Sequence, residues 1–403
     1  MNKQLSIIIF AYWHDHRFKK QVGGPIKVYE LATNLERLGH RVFLVTPKIG
    51  YPESQTSADV IAIPIVDYPM MRFITFQVFA LLRTIGLMIR KGRPNFFYIR
   101  IMWSFLPMLL GKLARIPVIL EVNDSPHRGY TFITKDFKRR LVHLIDRISY
   151  RLSTHILPVT QKIAKELHYL EGVSWDAMTV LPSGANTELF RPLDKLSCCQ
   201  KLGLDSLKKY VGFIGTFFHY QGIQVIIDSA PLMIQKFPDL RFLLVGDGPM
   251  KTNWENMVAE KGLREYFIFT GHVSYRDVPA YCGVMDICLS PLLKEARESS
   301  AVKLFDYLSC GKPVVMSDVD GTGKDFLKTQ AVILVKPDDP IELADAVKKL
   351  LSDSKKRERM GRMGRHHIVS MYDRAKLAQD IVKLCQKIAY QRKSRDYHLL
   401  KKN

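Results

Sequence analysis

Three features are scarce in this chain of 403 residues. The six cysteines (Cys198, Cys199, Cys282, Cys288, Cys310, Cys385) lack the density of a secreted disulfide framework and form no C-x-x-C metal pair. They read as reduced thiols, which points to a cytoplasmic protein. No apolar run reaches the roughly 20 residues of a membrane-spanning helix. The longest, FITFQVFALLRTIGLMI (73–89), contains Arg83 and reads as a core or interfacial helix. The first apolar run, around Ile7 to Phe10, is too short for a signal-peptide core and is expected as a buried strand. Acidic residues are also few, 39 against 60 Lys and Arg, leaving a net charge of +21.

That excess is shared: residues 1–190 carry 25 basic and 14 acidic groups, and the remainder carries the other half of the surplus. It is densest in residues 355–403, with 15 Lys or Arg against 4 Asp or Glu. Such a face attracts an anionic membrane, a polyphosphate or nucleic acid, or is simply solvated. The basic tail has few aromatics, Tyr372, Tyr390 and Tyr397, and no recognition motif, so no specific nucleic-acid partner is expected. An apolar share of 47% fits a globular chain, and its length exceeds what one core usually serves.

Short apolar runs such as SIIIFAY, RVFLVTP, HILPVT, MTVLPSG, YVGFIGT, LRFLLVGDG, YFIFTGH, DICLSPL and KPVVMSD alternate with segments of helical spacing. This order predicts parallel sheets with helices on both faces. The polar stretch NTELFRPLDKLSCCQ divides the series, giving two doubly wound α/β domains, 1–192 and 193–372, and a C-terminal helix, 373–403. Ligands of such folds sit beyond the carboxyl ends of the strands. Gly23 and Gly24, before a helical segment, either offer amides to a phosphate or form a tight turn. No G-x-G-x-x-G follows the first strand, which disfavours a nicotinamide cofactor.

The stretch ESSAVKLFDYLSCGKPVV (298–315) predicts a helix from Ser300 to Cys310, stopped by Gly311 and Pro313. Its first amides, with Ser299 and Ser300 as caps, and Lys303 on the first turn suit a diphosphate. Glu298 lies before the helix and Asp306 within it. One ligand could span both, or Asp306 could pair with Lys303 three positions earlier.

Taken with GGPIKVYELATNLERLGHRVFLVTP, VLPSGANTELFRP, LRFLLVGDGP and FIFTGHVSYRDVPAYCGVMDICLSP, this stretch resembles glycosyltransferase family 4 over nearly the whole chain. Its E-x7-E followed by Gly-x-Pro is the family's most specific signature, with Asp306 in place of the second Glu. The resemblance implies a GT-B fold: two Rossmann-like domains facing each other across a cleft, the N-terminal one for the acceptor and the C-terminal one for a nucleotide sugar. The last helix then packs back toward the N-terminal domain. It implies that Glu298 holds hydroxyls of the donor sugar, Asp306 the ribose hydroxyls, and Gly271, His272 and Val273 the base. Gly23 and Gly24 would meet the diphosphate. Asn123 and Asp124, at a strand end, would orient the acceptor, unless Asp124 caps a turn.

By the same resemblance the reaction is retaining transfer from a nucleoside-diphosphate sugar to a saccharide or lipid-linked acceptor, as in bacterial polysaccharide or glycolipid synthesis, with an anionic membrane surface as a further partner. No cofactor and no metal are expected. At GTFFHYQG (215–222), however, the family commonly has Arg and Lys where this chain has Thr216 and Gln221. Either Lys303, with Arg297 or His219, supplies the charge, or the protein binds a nucleotide sugar without catalysis.

Overall fold

The computed structural model describes residues 4–12, 23–48, 56–66, 68, 71–100, 105–124, 136–296, 302–319 and 322–400. The chain forms two units, Met1–Pro182 with Arg374–Asn403, and Ser183–Asp373. The first crossing precedes the sequence-derived boundary at 192 because Phe190 is buried in the second unit, where its carbonyl accepts from Ser309 Oγ at 2.5 Å and Arg365 at 2.7 Å.

The first unit contains β1 (Ser6–Phe10), α1 (Gly23–Arg37), β2 (Arg41–Pro47), β3 (Asp59–Ile63), α2 (Met71–Lys91), β4 (Phe96–Arg100), α3 (Leu106–Leu113), β5 (Val118–Val122), α4 (Asp136–Leu152), β6 (His155–Pro158) and α5 (Gln161–Glu171). The strands form one parallel sheet, ordered β3-β2-β1-β4-β5-β6. SIIIF, FFYIR and VILEV are nearly continuous apolar runs because helices cover both faces. One face packs on α2, α3 and α4 through Phe76, Met108 and Tyr150. The other packs on α1.

The second unit contains α6 (Lys195–Leu202), β7 (Lys209–Ile214), α7 (Ile223–Ile234), β8 (Leu240–Val245), α8 (Lys251–Glu260), β9 (Phe267–Phe269), α9 (Val278–Val284), β10 (Ile287–Ser290), α10 (Val302–Ser309), β11 (Val314–Ser317), α11 (Thr322–Asp325), β12 (Val332–Val335), α12 (Pro340–Leu351) and α13 (Ser354–Met371). Its parallel sheet runs β12-β11-β10-β7-β8-β9, the same winding as the first. Local signals set the helix starts: Asp339 accepts from Ile341 and Glu342 amides, and Pro340 occupies the first helical position of α12. The last helix, α14 (Arg374–Leu400), belongs to the first unit. Its Ala378, Ile381 and Cys385 are buried in one cluster with Ala32 and Leu35 of α1, and Arg374 is paired with Glu30.

Two sequence expectations change. MTVLPSG does not become a strand: it makes one bridge, Ile156 with Met178, and Pro182 cannot donate to a ladder. Conversely, β3 and β12 are strands outside the series read above, although VIAI and AVILV are themselves short apolar runs. Both close sheet edges, and β3 (DVIAI) leaves most of its residues exposed or half-exposed.

Candidate functional site

In each sheet the first and fourth strands are neighbours while the chain winds away from them in opposite directions. That switch point leaves a crevice beyond their carboxyl ends. In the second unit it lies between the loop after β7, which carries Thr216 and Gln221, and the loop after β10, which leads to Lys303.

These two loops touch. Gly222 has φ +70°, and a Cβ there would stand 1.8 Å from the carbonyl oxygen of Pro291, so only glycine allows this approach. A Cβ on Gly246, after β8, would stand 1.9 Å from the carbonyl oxygen of Gly215, and the Gly246 amide donates to Gly271 at 3.1 Å. Bare backbone from the ends of β7, β8 and β9 is therefore stacked in one layer. Gly271 belongs to it directly. His272 beside it is exposed, and Val273 packs against the second unit's hydrophobic core.

Lys303 crosses this crevice. Its Nζ donates to Gln221 Oε1 and lies 4.2 Å from the centre of the Phe213 ring. A Cβ on Gly215 would be 3.6 Å from the same nitrogen. Tyr307, buried one turn later, anchors α10 to the end of β7 by accepting the Ile214 amide at 2.6 Å. Burial of Lys303 lowers its ammonium from the usual lysine range to about 7. Its charge therefore depends on what enters the crevice.

The pairing of Lys303 with Asp306 does not form, because Lys303 turns to Gln221 instead. Asp306 is half-buried on α10. His219 is held by Glu295 at 3.0 Å in an exposed pair. Glu298, Ser299 and Ser300, together with Arg297, lie outside the described residues. Ser290, which closes β10, was missed in the sequence: its hydroxyl is buried without a hydrogen-bond partner among the described residues.

The first unit's switch point has other contents. Gly23 and Gly24 are the first two residues of α1 rather than preceding it. Asn123 and Asp124 follow β5, and the Asn123 amide nitrogen is buried with no hydrogen-bond partner among the described residues. Two residues earlier stands Glu121, 1% exposed, which sequence reading also missed. The signal was present: a lone carboxylate inside the apolar run VILEV. Lys27 of α1 meets Glu121 at 2.9 Å, Arg100 of β4 at 3.9 Å, and Tyr98 donates its hydroxyl to it. Burial alone would raise the Glu121 carboxyl, but Lys27, Arg100 and Tyr98 outweigh it and hold it at about 2. Among the described residues no group of three or more His, Cys, Asp or Glu is placed to hold a metal.

Comparison with known proteins gives two family matches. Residues 198–367 match the family described as glycosyl transferases group 1, and residues 23–189 match Glycosyltransferase Family 4. The chain is 28% identical to the 2-deoxystreptamine glucosyltransferase of Streptomyces kanamyceticus, over 62% of this chain and 66% of that protein. It is 22% identical to the alpha-monoglucosyldiacylglycerol synthase of Acholeplasma laidlawii, over 73% and 76%. The Anabaena protein HepE, solved in complex with UDP, superposes with a TM-score of 0.74 at 15% identity, covering 95% of this chain and 100% of that one.

Proposed function

Because the chain belongs to the group 1, family 4 glycosyltransferases, we propose that it moves a sugar from a nucleoside-diphosphate sugar to a hydroxyl of a saccharide or lipid-linked acceptor, with retention at the anomeric carbon. The observation that carries the donor assignment is Lys303 spanning the second unit's crevice to Gln221. Here the cation that the loop after β7 lacks arrives from α10 instead. A diphosphate placed beside Lys303 would restore its charge, and stabilisation of developing negative charge is usually the largest catalytic contribution. The stacked glycine backbone after β7, β8 and β9 leaves room for the ligand, with Gly271, His272 and Val273 toward the base and Thr216 beside the phosphates.

Asp306 takes the ribose hydroxyls in this reading, and Glu298 those of the sugar, since ionised carboxylates accept from hydroxyl donors. The two are clamps on one donor, not the acid and nucleophile of a hydrolase. The acceptor hydroxyl attacks on the face the diphosphate leaves, and a departing phosphate oxygen takes its proton. No separate protein base, metal or cofactor enters the scheme. Asn123, with its buried amide nitrogen available for a hydroxyl or carbonyl oxygen, orients the acceptor with Asp124.

HepE was solved with UDP, and the two relatives are named for 2-deoxystreptamine and for a monoglucosyldiacylglycerol. Both acceptor classes stay within the proposal, in the cytoplasm and in polysaccharide or glycolipid synthesis. The test is a panel of nucleotide sugars incubated with the protein and a membrane extract, read as nucleoside-diphosphate release. Release with one donor supports transfer; binding without any release supports a silent nucleotide-sugar binder.

A further inference from the structure

The loop after β7 puts two adjacent phenylalanines to opposite uses. Phe217 is buried: its amide donates to Asp247 at 2.9 Å and its carbonyl accepts from Met250 at 3.0 Å, which ties it to the loop after β8. Its ring packs on Trp254 and Phe269. From Phe218 the chain turns the other way. The Leu293 amide donates to the Tyr220 carbonyl at 3.1 Å, and His219 meets Glu295 at 3.0 Å, so this half of the loop lies against the loop after β10. One tight 3-10 turn fixes it, closed by the Gln221 amide on the Phe218 carbonyl and the Gly222 amide on that of His219.

The turn carries Phe218 and Tyr220 with their rings within 13° of parallel and their centroids 5.7 Å apart. Carbon atoms touch at about 3.5 to 4 Å, so rings at this separation are displaced sideways and form a stepped apolar surface instead of covering each other. Tyr220 is 37% exposed; His219 and Glu295 beside it are 60% and 66% exposed. An ionised carboxylate only accepts, so His219 Nδ1–H donates to Glu295, and the second carboxylate oxygen, His219 Nε2 and the Tyr220 hydroxyl line the rim. Single exposed aromatics are ordinary. A parallel pair rimmed by carboxylate, imidazole and phenol matches a sugar ring, whose C–H face lies on the aromatics while its hydroxyls meet the rim. A lipid chain would desolvate that rim without pairing it. The donor's base, in the reading above, lies on the other flank, by Gly271 after β9, with β7 and β8 between it and the β10 loop.

We propose that Phe218, His219, Tyr220 and Glu295 form a saccharide subsite at the edge of the second unit's crevice, and, resting on the transfer reading above, that the sugar ring it holds belongs to the acceptor. Full-length protein without donor is mixed with glucose, galactose, mannose and N-acetylglucosamine, and with maltose, lactose, mannobiose and chitobiose, and read by saturation-transfer NMR. The expected result is transfer to at least one of these sugars, strongest on the C–H protons of one ring face, that added UDP does not displace. Phe218→Ala combined with Tyr220→Ala should weaken this binding by about tenfold, and Glu295→Gln by about fivefold, with UDP affinity unchanged. Where the double variant does not fold, Tyr220→Trp in the otherwise native chain retains an aromatic face, and the emission of the introduced indole should shift on titration with the bound sugar. Absence of transfer to every sugar, binding that the double variant retains, Tyr220→Trp emission that the sugar leaves unmoved, or displacement of the sugar by UDP-glucose would each overturn the subsite. UDP bound without any sugar overturns the subsite and leaves the transfer reading standing. Sugar bound through these four residues, with no donor turned over, supports the subsite and removes only the assignment of its ligand to an acceptor.

Discussion

The two units share one winding and differ in what fills the switch point. In the second, the crevice is walled by backbone, with glycines stacked after three strands and one half-buried lysine reaching across. In the first, the corresponding ground holds a buried carboxylate satisfied by Lys27, Arg100 and Tyr98. Topology thus provides two similar hollows, and side chains decide their use. Backbone and a titratable charge suit a ligand that brings its own phosphates, whereas a saturated ion cluster suits a scaffold that holds strand ends in place.

The largest effect expected from this contrast is on stability. Glu121→Gln removes the carboxylate that Lys27 meets at 2.9 Å and should cost about 3 kcal/mol, read by denaturant unfolding, while nucleotide affinity stays unchanged. The folded Glu121 carboxyl lies below its ordinary 4.5, at about 2. Its contribution is therefore complete above pH about 4.5 and disappears as the pH falls toward 2. An equal loss of nucleotide binding in Glu121→Gln would erase the distinction between the two hollows.

Lys303→Ala should do the reverse, lowering kcat/KM by about a hundredfold, the scale of losing one charge-stabilising group, with no loss of stability. Adding Gln221→Lys to Lys303→Ala should recover about tenfold of that rate, because the two side chains meet at one point. No recovery would mean that Lys303 acts by holding the loop rather than by its charge. The smallest effect is at the acceptor: Asn123→Ala removes one hydrogen-bond donor and should raise the acceptor KM by about five- to tenfold, with donor KM unchanged.

Much of this division was legible in the sequence. Unbroken apolar runs marked the strands buried on both faces, and the 298–315 stretch marked α10 and Lys303. Edge strands were less legible: β3 offers only four apolar residues in a row, VIAI, before Pro64, and most of them stay at least half-exposed. The boundary was displaced because Phe190 looks like linker in the chain and becomes core only when Ser309 and Arg365 surround its carbonyl. The partner of Lys303 was hidden for a similar reason: Gln221 lies 82 positions away, and only the adjacency of β7 and β10 joins them. Glu121 was readable as an anomaly, but its three partners come from α1 and β4, so its role was not.

The central claim is that the ammonium of Lys303, lowered to about 7 by burial, meets the donor's diphosphate. Titration calorimetry of UDP, with GDP as the alternative base, across about pH 6 to 9 tests it directly. A bound diphosphate favours the charged lysine, so binding takes up a proton once the pH exceeds about 7, and affinity should fall by up to about tenfold per unit above it. Lys303→Met should bind more weakly and lose this slope. A pH profile shared by the wild type and Lys303→Met, at equal affinity, would contradict the account.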